Sequence, residues 1–377
     1  MRSVPTSLHS VLVKPAGPDC NMKCDYCFYR QKEGMFPDPV HRMTGKVLEA
    51  MVRQMMSQSI AHMSFGWQGG EPTLMGLPFF QKIVDLQIRY GGGKNVGNGL
   101  QTNGLLIDSR WAAFLGQYKF LVGLSLDGPD HVHDHYRRAL GGQGSWSTVA
   151  DSVKLLLDAD VEVNAVSVVT DYSSQFAEEI YQFHKDLGLT HMQFIPYVAS
   201  APSDPDRPAT FSVSAEKFGN FLITLFDLWL RDVRDGIAAT SIRYFDSVFH
   251  RYVGLSAPEC TLLEECGNYL VVEHNGDVFP CDFYVQPEWK LGNILEGRLV
   301  DMLNSSRQRE FGAMKAIRPD VCSTCPWLRF CYGGCTKDRM WDSQNRGKMH
   351  FCQSYKMFFE HANTTFKEMS SLWLSRQ

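Results

Sequence analysis

The sequence has 377 residues, enough for a large buried core and for division into two parts. Hydrophobic residues make up 44% of it and charged residues 21%, the balance of a soluble globular protein. The net charge is −4 and no basic block occurs, so a nucleic-acid-binding surface is not expected. The first ten residues carry no apolar signal region, and no run reaches membrane-spanning length.

The sequence contains 11 cysteines. Without an export signal, the chain is expected in the reducing environment of the cytoplasm. Clustered cysteines there are typically metal ligands and not disulfides.

Apolar, strand-like segments alternate with helical patterns through the first half of the chain. Such alternation predicts an α/β fold, with a parallel sheet covered by helices. The predicted strands are residues 10–14, 62–67, 95–101, 120–126, 161–170 and 191–197. The predicted helices are residues 44–57, 77–90, 108–117, 147–159 and 173–187. Six strands suggest a partial (β/α)6 TIM-like barrel.

Polar motifs follow the predicted strands at the points where the strands end. Because the active sites of parallel barrels form at the carboxyl ends of the strands, we expect one site at a common rim. The motifs after the first four strands are residues 20–27, 68–72, 101–104 and 125–129, and Thr170 and Tyr197 close the fifth and sixth.

The first of these motifs is a cysteine triplet. Cys20, Cys24 and Cys27 have C-x3-C-x2-C spacing, and the next cysteine is Cys260. A [4Fe–4S] cluster normally takes four cysteines, so three thiolates leave one iron open to bind a small molecule. The alternatives are a zinc site or three buried thiols, although zinc loops favour paired C-x2-C units.

The triplet, followed by Phe28 and Tyr29, resembles the signature of radical S-adenosylmethionine (SAM) enzymes. The resemblance implies that the open iron binds the amino and carboxylate groups of SAM, and it agrees with a partial barrel. Gly-Gly-Glu-Pro at 69–72 resembles a motif of the same family that contacts the methionine amino group. Glycines there would let a ligand approach the backbone closely.

Eight cysteines follow residue 255, where we predict a second domain. Eight is the number required by two fully ligated cubane clusters, and two four-thiolate zinc sites are the alternative. The pattern resembles the SPASM domain of radical SAM peptide-modifying enzymes. That resemblance assigns one auxiliary cluster to Cys260, Cys266, Cys281 and Cys335, and the other to Cys322, Cys325, Cys331 and Cys352. Together with the triplet, this gives three expected [4Fe–4S] clusters. The two auxiliary clusters, each closed by four cysteines, are expected to transfer electrons.

Three parts are predicted along the chain. They are a radical SAM partial barrel at 1–200, a linker and connecting helix at 201–255, and a SPASM auxiliary-cluster domain with a C-terminal helix at 256–377. Residues 200–208 are rich in Pro, Ser and Asp and indicate a linker or lid. Ser214 can cap the helix that follows, whose apolar stripe is expected to pack in the core.

The chain as a whole, from Lys14 to Tyr355, resembles the anaerobic sulfatase-maturating enzymes. These oxidise a Cys or Ser of a sulfatase to Cα-formylglycine through a 5′-deoxyadenosyl radical. The resemblance implies that Asp282 is the catalytic base and that an auxiliary cluster accepts the second electron. It places SAM contacts at Tyr26, Gly70, Ser125, Arg137 and Val198, with Gln68 beside the site.

Taken alone, the residues leave several roles open. Ser125 suits a ligand contact and Asp127 a turn. Arg138 competes with Arg137 for the SAM carboxylate, and Asp282 could be a structural hydrogen-bonding residue.

The expected partners are a sulfatase polypeptide with a Cys- or Ser-type motif and an electron donor such as flavodoxin or ferredoxin. No nucleic acid or membrane partner is expected. One alternative function is another SPASM peptide modification, thioether cross-linking or epimerisation. A zinc-stabilised binding module without catalysis is an alternative of a different class.

Overall fold

The computed structural model describes residues 6–201, 204–234, 237–339 and 347–376. The strands that form the sheets are short, with polar segments between them. In chain order they are β1 (Ser10–Lys14), β2 (His62–Trp67), β3 (Asn95–Thr102), β4 (Leu121–Ser125), β5 (Glu162–Val169), β6 (His191–Pro196), β7 (Ser200–Ala201), β8 (Asp204–Pro208), β9 (Val233–Arg234), β10 (Ile237–Ala238), β11 (Ser241–Ile242), β12 (Leu270–Glu273), β13 (Asp277–Phe279) and β14 (Gly292–Asn293).

Helices alternate with the strands of the first half, as predicted. In chain order the α-helices are α1 (Gly45–Met56), α2 (Leu77–Gly91), α3 (Ser109–Gln117), α4 (Asp130–Tyr136), α5 (Trp146–Asp158), α6 (Ala177–Asp186), α7 (Ala215–Arg231), α8 (Arg243–Tyr252), α9 (Leu299–Leu303), α10 (Ser306–Met314), α11 (Leu328–Cys331) and α12 (Cys352–Leu374). None of them, among the residues the structure describes, is long and apolar enough to cross a membrane.

The helix predicted at 173–187 is divided in the structure. A 3₁₀ turn at Ser173–Gln175 precedes α6, and Phe176 between them has non-helical backbone angles (φ −118°, ψ 32°). The hydroxyl of Ser173 accepts a hydrogen bond from the Thr170 backbone N–H at 2.8 Å. A serine that bonds to the nearby backbone competes with helix formation, which explains the later start of α6.

The chain divides into two compact units, each assembled from separate segments. The first comprises residues 1–125, 136–163 and 267–312. Its strands lie in the order β4-β3-β2-β1-β12-β13-β14. The pairs from β4 to β12 are parallel, whereas β12–β13 and β13–β14 are antiparallel. The core beside β2 is aromatic: Phe65 and Trp67 are fully buried with stacked rings 5.8 Å apart.

The second unit comprises residues 126–135, 164–266 and 313–377. Its strands β5, β6 and β11 are parallel. Ser214 caps α7 by accepting a hydrogen bond from the Lys217 N–H, as predicted, and the apolar stripe of α7 is buried with the phenylalanines of α12. The predicted linker at 200–208 contains the antiparallel pair β7–β8, and residues 202 and 203 lie outside the described part.

The fold class predicted from the sequence agrees with the structure. The predicted α/β architecture with a mostly parallel sheet is confirmed, and β1 and β2 have the predicted bounds.

Helix packing in the first unit predicts opposite effects for two glycine substitutions. A Cβ on Gly116 of α3 would lie 2.3 Å from the Ala159 carbonyl oxygen, whereas a Cβ on Gly91 of α2 would meet only Met56 Sδ, at 4.0 Å. Gly116→Ala should therefore destabilise the protein by about 1–3 kcal/mol through overpacking. Gly91→Ala should stabilise it by up to about 1 kcal/mol through helix propensity. Denaturant unfolding under anaerobic conditions measures both, and equal effects would contradict this packing.

Candidate functional site

The cysteine triplet lies on the loop that leaves β1, within the first unit. Backbone hydrogen bonds hold this loop against the segment that follows α4. The Lys23 N–H donates to the Arg138 carbonyl at 2.8 Å, and the Asp25 N–H donates to the Tyr136 carbonyl at 3.2 Å. A loop fixed at its backbone can present its three thiols in one direction.

Close backbone contact with the end of β2 also fixes the entry to this loop. The Gly70 N–H donates to the Gly17 carbonyl at 2.8 Å, and the Glu71 N–H donates to the Asp19 carbonyl at 2.7 Å. A Cβ on Gly70 would lie 2.0 Å from the Asp19 carbonyl oxygen, which leaves no room for any side chain. Gly70 is therefore required by the fold next to the triplet, whatever else it contacts.

The three thiols are close enough to influence one another. Burial, together with the charges of Glu71, Cys24 and Cys27, raises the pKa of the Cys20 thiol to about 12. Three thiol donors on one short loop fit the three-cysteine ligation of a cubane cluster. Within the described ranges, no group of three or more His, Cys, Asp or Glu is arranged to hold a single metal ion.

Glu71 organises the ends of β2 and β3. Its buried carboxylate accepts hydrogen bonds from the Thr73 hydroxyl at 2.6 Å, the Thr102 hydroxyl at 2.7 Å and the Asn103 N–H at 2.8 Å. Burial raises the pKa of Glu71, an effect that these hydrogen bonds oppose. The motif glutamate is thus a structural link between two strand-end loops.

Two polar residues of the 101–104 motif contact the site, although the sequence did not single them out. The Asn103 amide donates to Asn21 Oδ1 at 2.7 Å and lies 3.7 Å from Cys20 Sγ. The Gln101 amide donates to Ser125 Oγ at 3.0 Å. Their position at the carboxyl end of β3 was the feature of the sequence that could have indicated them as site residues.

Of the two candidate arginines, Arg137 lies at the triplet. It is buried, with its guanidinium 5.3 Å from the ring centroid of Tyr26 and 4.0 Å from Cys24 Sγ. Arg138 is exposed. The structure therefore brings Tyr26 and Arg137 together.

Gln68 and Val198 are also predicted to lie at SAM, and the structure shows fewer contacts for them than for Tyr26 and Arg137. Gln68 is half-buried, and its backbone N–H donates to the Val13 carbonyl at 2.9 Å. Val198 belongs to the second unit, where it packs against the apolar core.

Asp282 occupies a buried position in the first unit, on a 3₁₀ turn directly after Cys281. Only 9% of the residue is exposed. The Tyr269 hydroxyl donates to Asp282 Oδ1 at 3.3 Å, and Lys14 Nζ lies 3.9 Å from Oδ2. Cys281 Sγ is 3.6 Å from Oδ1. A carboxylate is a group that can accept a proton in catalysis.

Lys14 is a site residue that sequence reasoning missed. It ends β1, is fully buried, and lies over the ring of Tyr29 with Nζ 4.4 Å from the centroid. Among the described residues its Nζ has no hydrogen-bond acceptor. A lysine at the carboxyl end of an apolar strand was the one signal that could have indicated it.

The second unit contains four thiols around a single cavity. Cys322, Cys325, Cys331 and Cys352 line a space of about 500 Å³, part of it open to solvent. Burial, together with the charges of the other three thiols, raises the pKa of the Cys331 thiol to about 11. Their grouping agrees with the set that the sequence assigned to one auxiliary cluster, and four thiol donors fit a closed cluster.

Three further cysteines of this unit interact electrostatically with Lys315. Its charge interacts with Cys266, Cys260 and Cys335, which the sequence assigned together. The fourth member of that set, Cys281, lies in the first unit, where the Tyr269 hydroxyl is 3.5 Å from its sulfur.

Asp127 and His133 have structural roles in the second unit. The Asp127 carboxylate accepts a hydrogen bond from the Val168 N–H at 2.9 Å, and the Asp127 N–H donates to the His133 ring at 3.3 Å. These contacts agree with the turn role predicted for Asp127.

Comparison with known proteins places this arrangement in a family. Residues 15–185 match the Radical SAM superfamily, and residues 260–326 match the SPASM iron-sulfur cluster-binding domain. The chain is 37% identical over 369 residues to the serine-type anaerobic sulfatase-maturating enzyme of Bacteroides thetaiotaomicron, covering 93% of this chain and 88% of that relative. It is also 37% identical over 358 residues to the cysteine-type enzyme of Clostridium perfringens, covering 94% of this chain and 96% of that relative.

A solved structure of native anSMEcpe with bound AdoMet and Cp18Cys peptide is similar in fold. The TM-score is 0.87 at 35% identity, over 96% of this chain and 98% of that chain. The two family matches indicate SAM and [4Fe–4S] clusters as the cofactors, and the thiol groups described above fit them. Similarity of this extent to relatives of both types shows that the chain is a radical SAM enzyme of the anaerobic sulfatase-maturating family.

Proposed function

We propose that the chain oxidises a Cys or Ser residue of a sulfatase polypeptide to Cα-formylglycine. The observation that carries this proposal is the placement of Asp282, a buried carboxylate beside Lys14 and Cys281, in the same unit as the cysteine triplet. The 37% identity to serine-type and cysteine-type maturases supports the substrate class.

The triplet cysteines would hold the cluster that reductively cleaves SAM, which supplies a 5′-deoxyadenosyl radical for hydrogen-atom abstraction. Tyr26, Gly70, Ser125, Arg137 and Val198 would contact SAM, with Gln68 beside it. Arg137 suits the SAM carboxylate, because it is buried against Tyr26 and close to Cys24.

Asp282 would act as the base. Forming the aldehyde removes a β-hydrogen atom, a proton from the thiol or hydroxyl, and one electron from the target residue; the thioaldehyde from Cys is then hydrolysed. Lys14 Nζ lies 3.9 Å from Oδ2 and would help to fix the position of the carboxylate that accepts this proton. The Tyr269 hydroxyl fixes the orientation of the carboxylate from the other side.

The remaining eight cysteines would hold two closed clusters, and closed clusters carry electrons without binding substrate. We assign Cys260, Cys266, Cys281 and Cys335 to one and Cys322, Cys325, Cys331 and Cys352 to the other. The shared cavity of the second set and the electrostatic interaction of three members of the first with Lys315 support this assignment.

We further propose the organisation and setting of the enzyme. The barrel would occupy residues 1–200, the connecting helix 201–255 and the SPASM domain 256–377, which the matched ranges 15–185 and 260–326 support. A flavodoxin or ferredoxin would supply electrons. The cytoplasm is the proposed location, because no disulfide joins the 11 cysteines and cluster thiolates need reducing conditions.

The function is tested by anaerobic incubation of the reconstituted protein with SAM, dithionite and sulfatase-derived Cys or Ser peptides. Mass spectrometry should show a mass loss confined to one residue, together with release of 5′-deoxyadenosine. A cross-link between two residues, or an unchanged mass with epimerisation, would exclude formylglycine formation.

Cys24→Ala should abolish SAM cleavage, because two thiolates cannot hold the open cluster at this loop. Release of 5′-deoxyadenosine measures the effect. The matched control is Cys331→Ala, which removes a thiol of the second unit and should leave SAM cleavage in place. Cleavage retained in Cys24→Ala would remove the triplet from its central role.

Asp282→Asn should still cleave SAM yet form little aldehyde, since the amide cannot accept the proton. The ratio of formylglycine to 5′-deoxyadenosine should fall by at least about 10²-fold, the scale of general-base catalysis. Asp301→Asn, a change at an exposed helix residue, serves as the control and should keep the wild-type ratio. A normal ratio in Asp282→Asn would return this residue to a structural role.

A further inference from the structure

Lys315 is a buried cation at the backbone of a proposed cluster ligand. Its side chain is fully buried in the second unit. The ammonium donates to the Cys260 carbonyl at 2.7 Å and to the Thr261 carbonyl at 2.9 Å. The charge is therefore held in a fixed place by two neutral acceptors.

Arg339 is a second cation, held by the loop that joins Cys331 to Cys335. Tyr332, Gly333 and Gly334 of this loop have φ of 44°, 77° and 68°, a left-handed run. The guanidinium donates to the Gly333 carbonyl at 2.9 Å and approaches the carbonyls of the other two at 3.4 Å. A Cβ on Gly333 would lie 2.7 Å from Arg339 Nη2, so the glycine makes room for the guanidinium.

Arg339, which is half-buried, links this loop to the segment 315–317. Arg339 also donates to the Ile317 carbonyl at 2.8 Å and to the Lys315 carbonyl at 3.3 Å. All of these acceptors are uncharged, so the hydrogen bonds fix the position of the charge without cancelling it.

Both cations interact electrostatically with cysteines of the second unit. Burial lowers the pKa of Lys315, an effect opposed by Cys266, Cys260 and Cys335. The same cause lowers the pKa of Arg339, opposed by Cys322, Cys335 and Cys266.

No carboxylate oxygen among the described residues lies within 4 Å of either cation, although the buried Glu259 interacts with Lys315 at longer range. Burying a cation without a close counter-ion is unfavourable, and a nearby anion offsets that cost. A cluster ligated by four thiolates is such an anion, and it gains one more negative charge on reduction.

We propose that Lys315 and Arg339 raise the reduction potential of the cluster whose assigned ligands include Cys260, Cys266 and Cys335, and so make it the acceptor of the electron that leaves the substrate. The inference rests on the proposed function for the identity of the donor. Net charge and hydrogen bonding around a cluster are established determinants of its potential.

The electron count of this step is balanced. The substrate carbon radical loses one electron as its thiol or hydroxyl proton passes to Asp282. That electron reduces one ferric equivalent of the cluster to ferrous. A fixed positive charge next to the cluster stabilises the reduced form more than the oxidised form, because the reduced form is the more negative.

The test is a redox titration of the full-length, anaerobically reconstituted protein, with dithionite as reductant and electron paramagnetic resonance as readout. Lys315→Met, which removes the charge, should lower one auxiliary midpoint potential. Lys315→Arg, which keeps it, should not. Lys367→Met removes an exposed lysine of α12 and should leave all potentials unchanged. Parallel titrations with SAM identify the open cluster, because only its spectrum should respond to SAM.

Iron content is measured for each variant. An unchanged potential in a fully loaded Lys315→Met protein would overturn the proposal. If this variant loses iron, Arg339→Gln takes its place, since glutamine keeps hydrogen-bond donors without the charge. A lowered midpoint in that variant supports the proposal. An unchanged midpoint in Arg339→Gln overturns the proposal. Iron loss in Arg339→Gln overturns it too, because the two cations would then have a structural role.

The titration contains no peptide, so it is independent of the proposed function. If the midpoint falls but the protein forms no formylglycine, the proposed function is contradicted and the electrostatic role of Lys315 is supported. If formylglycine forms but the potentials are unchanged, the function is supported and the electrostatic role is contradicted.

Discussion

The contact between the backbone of Gly70 and the carbonyl of Asp19 is the constraint on which the first unit depends. The carbonyl oxygen occupies the space that a Cβ would need, 2.0 Å away. This approach allows the end of β2 to hydrogen-bond with the chain entering the triplet loop, and Glu71 then connects the same point to the end of β3. One missing side chain thus lets two strand ends and the cysteine loop share a single hydrogen-bonded framework.

The elements of the fold could be predicted because their signals are local. The apolar run of β1 and the cap of α7 at Ser214 lie within a few residues of the structure they specify, and both are confirmed. The helix predicted at 173–187 was wrong at its start, because the hydroxyl pair of Thr170 and Ser173 competes with the helical pattern over three residues. Residues 126–135 and 136–163 belong to different units, and no local feature of the sequence predicts this division.

The candidate site was predictable only in part. The spacing of the cysteines was a local signal for the triplet and for the group of Cys322, Cys325, Cys331 and Cys352, whereas the proposed partnership of Cys281 with Cys260, Cys266 and Cys335 stays a prediction. Lys14 reaches Asp282 across 268 positions of sequence, a contact that exists because β1 pairs with β12 and the turn after β13 brings Asp282 back. Asn103 likewise meets the triplet loop only through strand order. Contacts that depend on which strands pair cannot be predicted from a single sequence. The catalytic and SAM-binding roles of these residues stay predictions.

The thiols of Cys20, Cys331 and Cys335 have pKa values raised by burial to about 12, 11 and 12. At neutral pH such thiols remain protonated until a metal displaces the proton, and it is the thiolate that is nucleophilic. The folded protein, before it takes up iron, would therefore resist alkylation at these sulfurs. The same burial that excludes water from the finished centres preserves the capacity of the empty protein to be loaded.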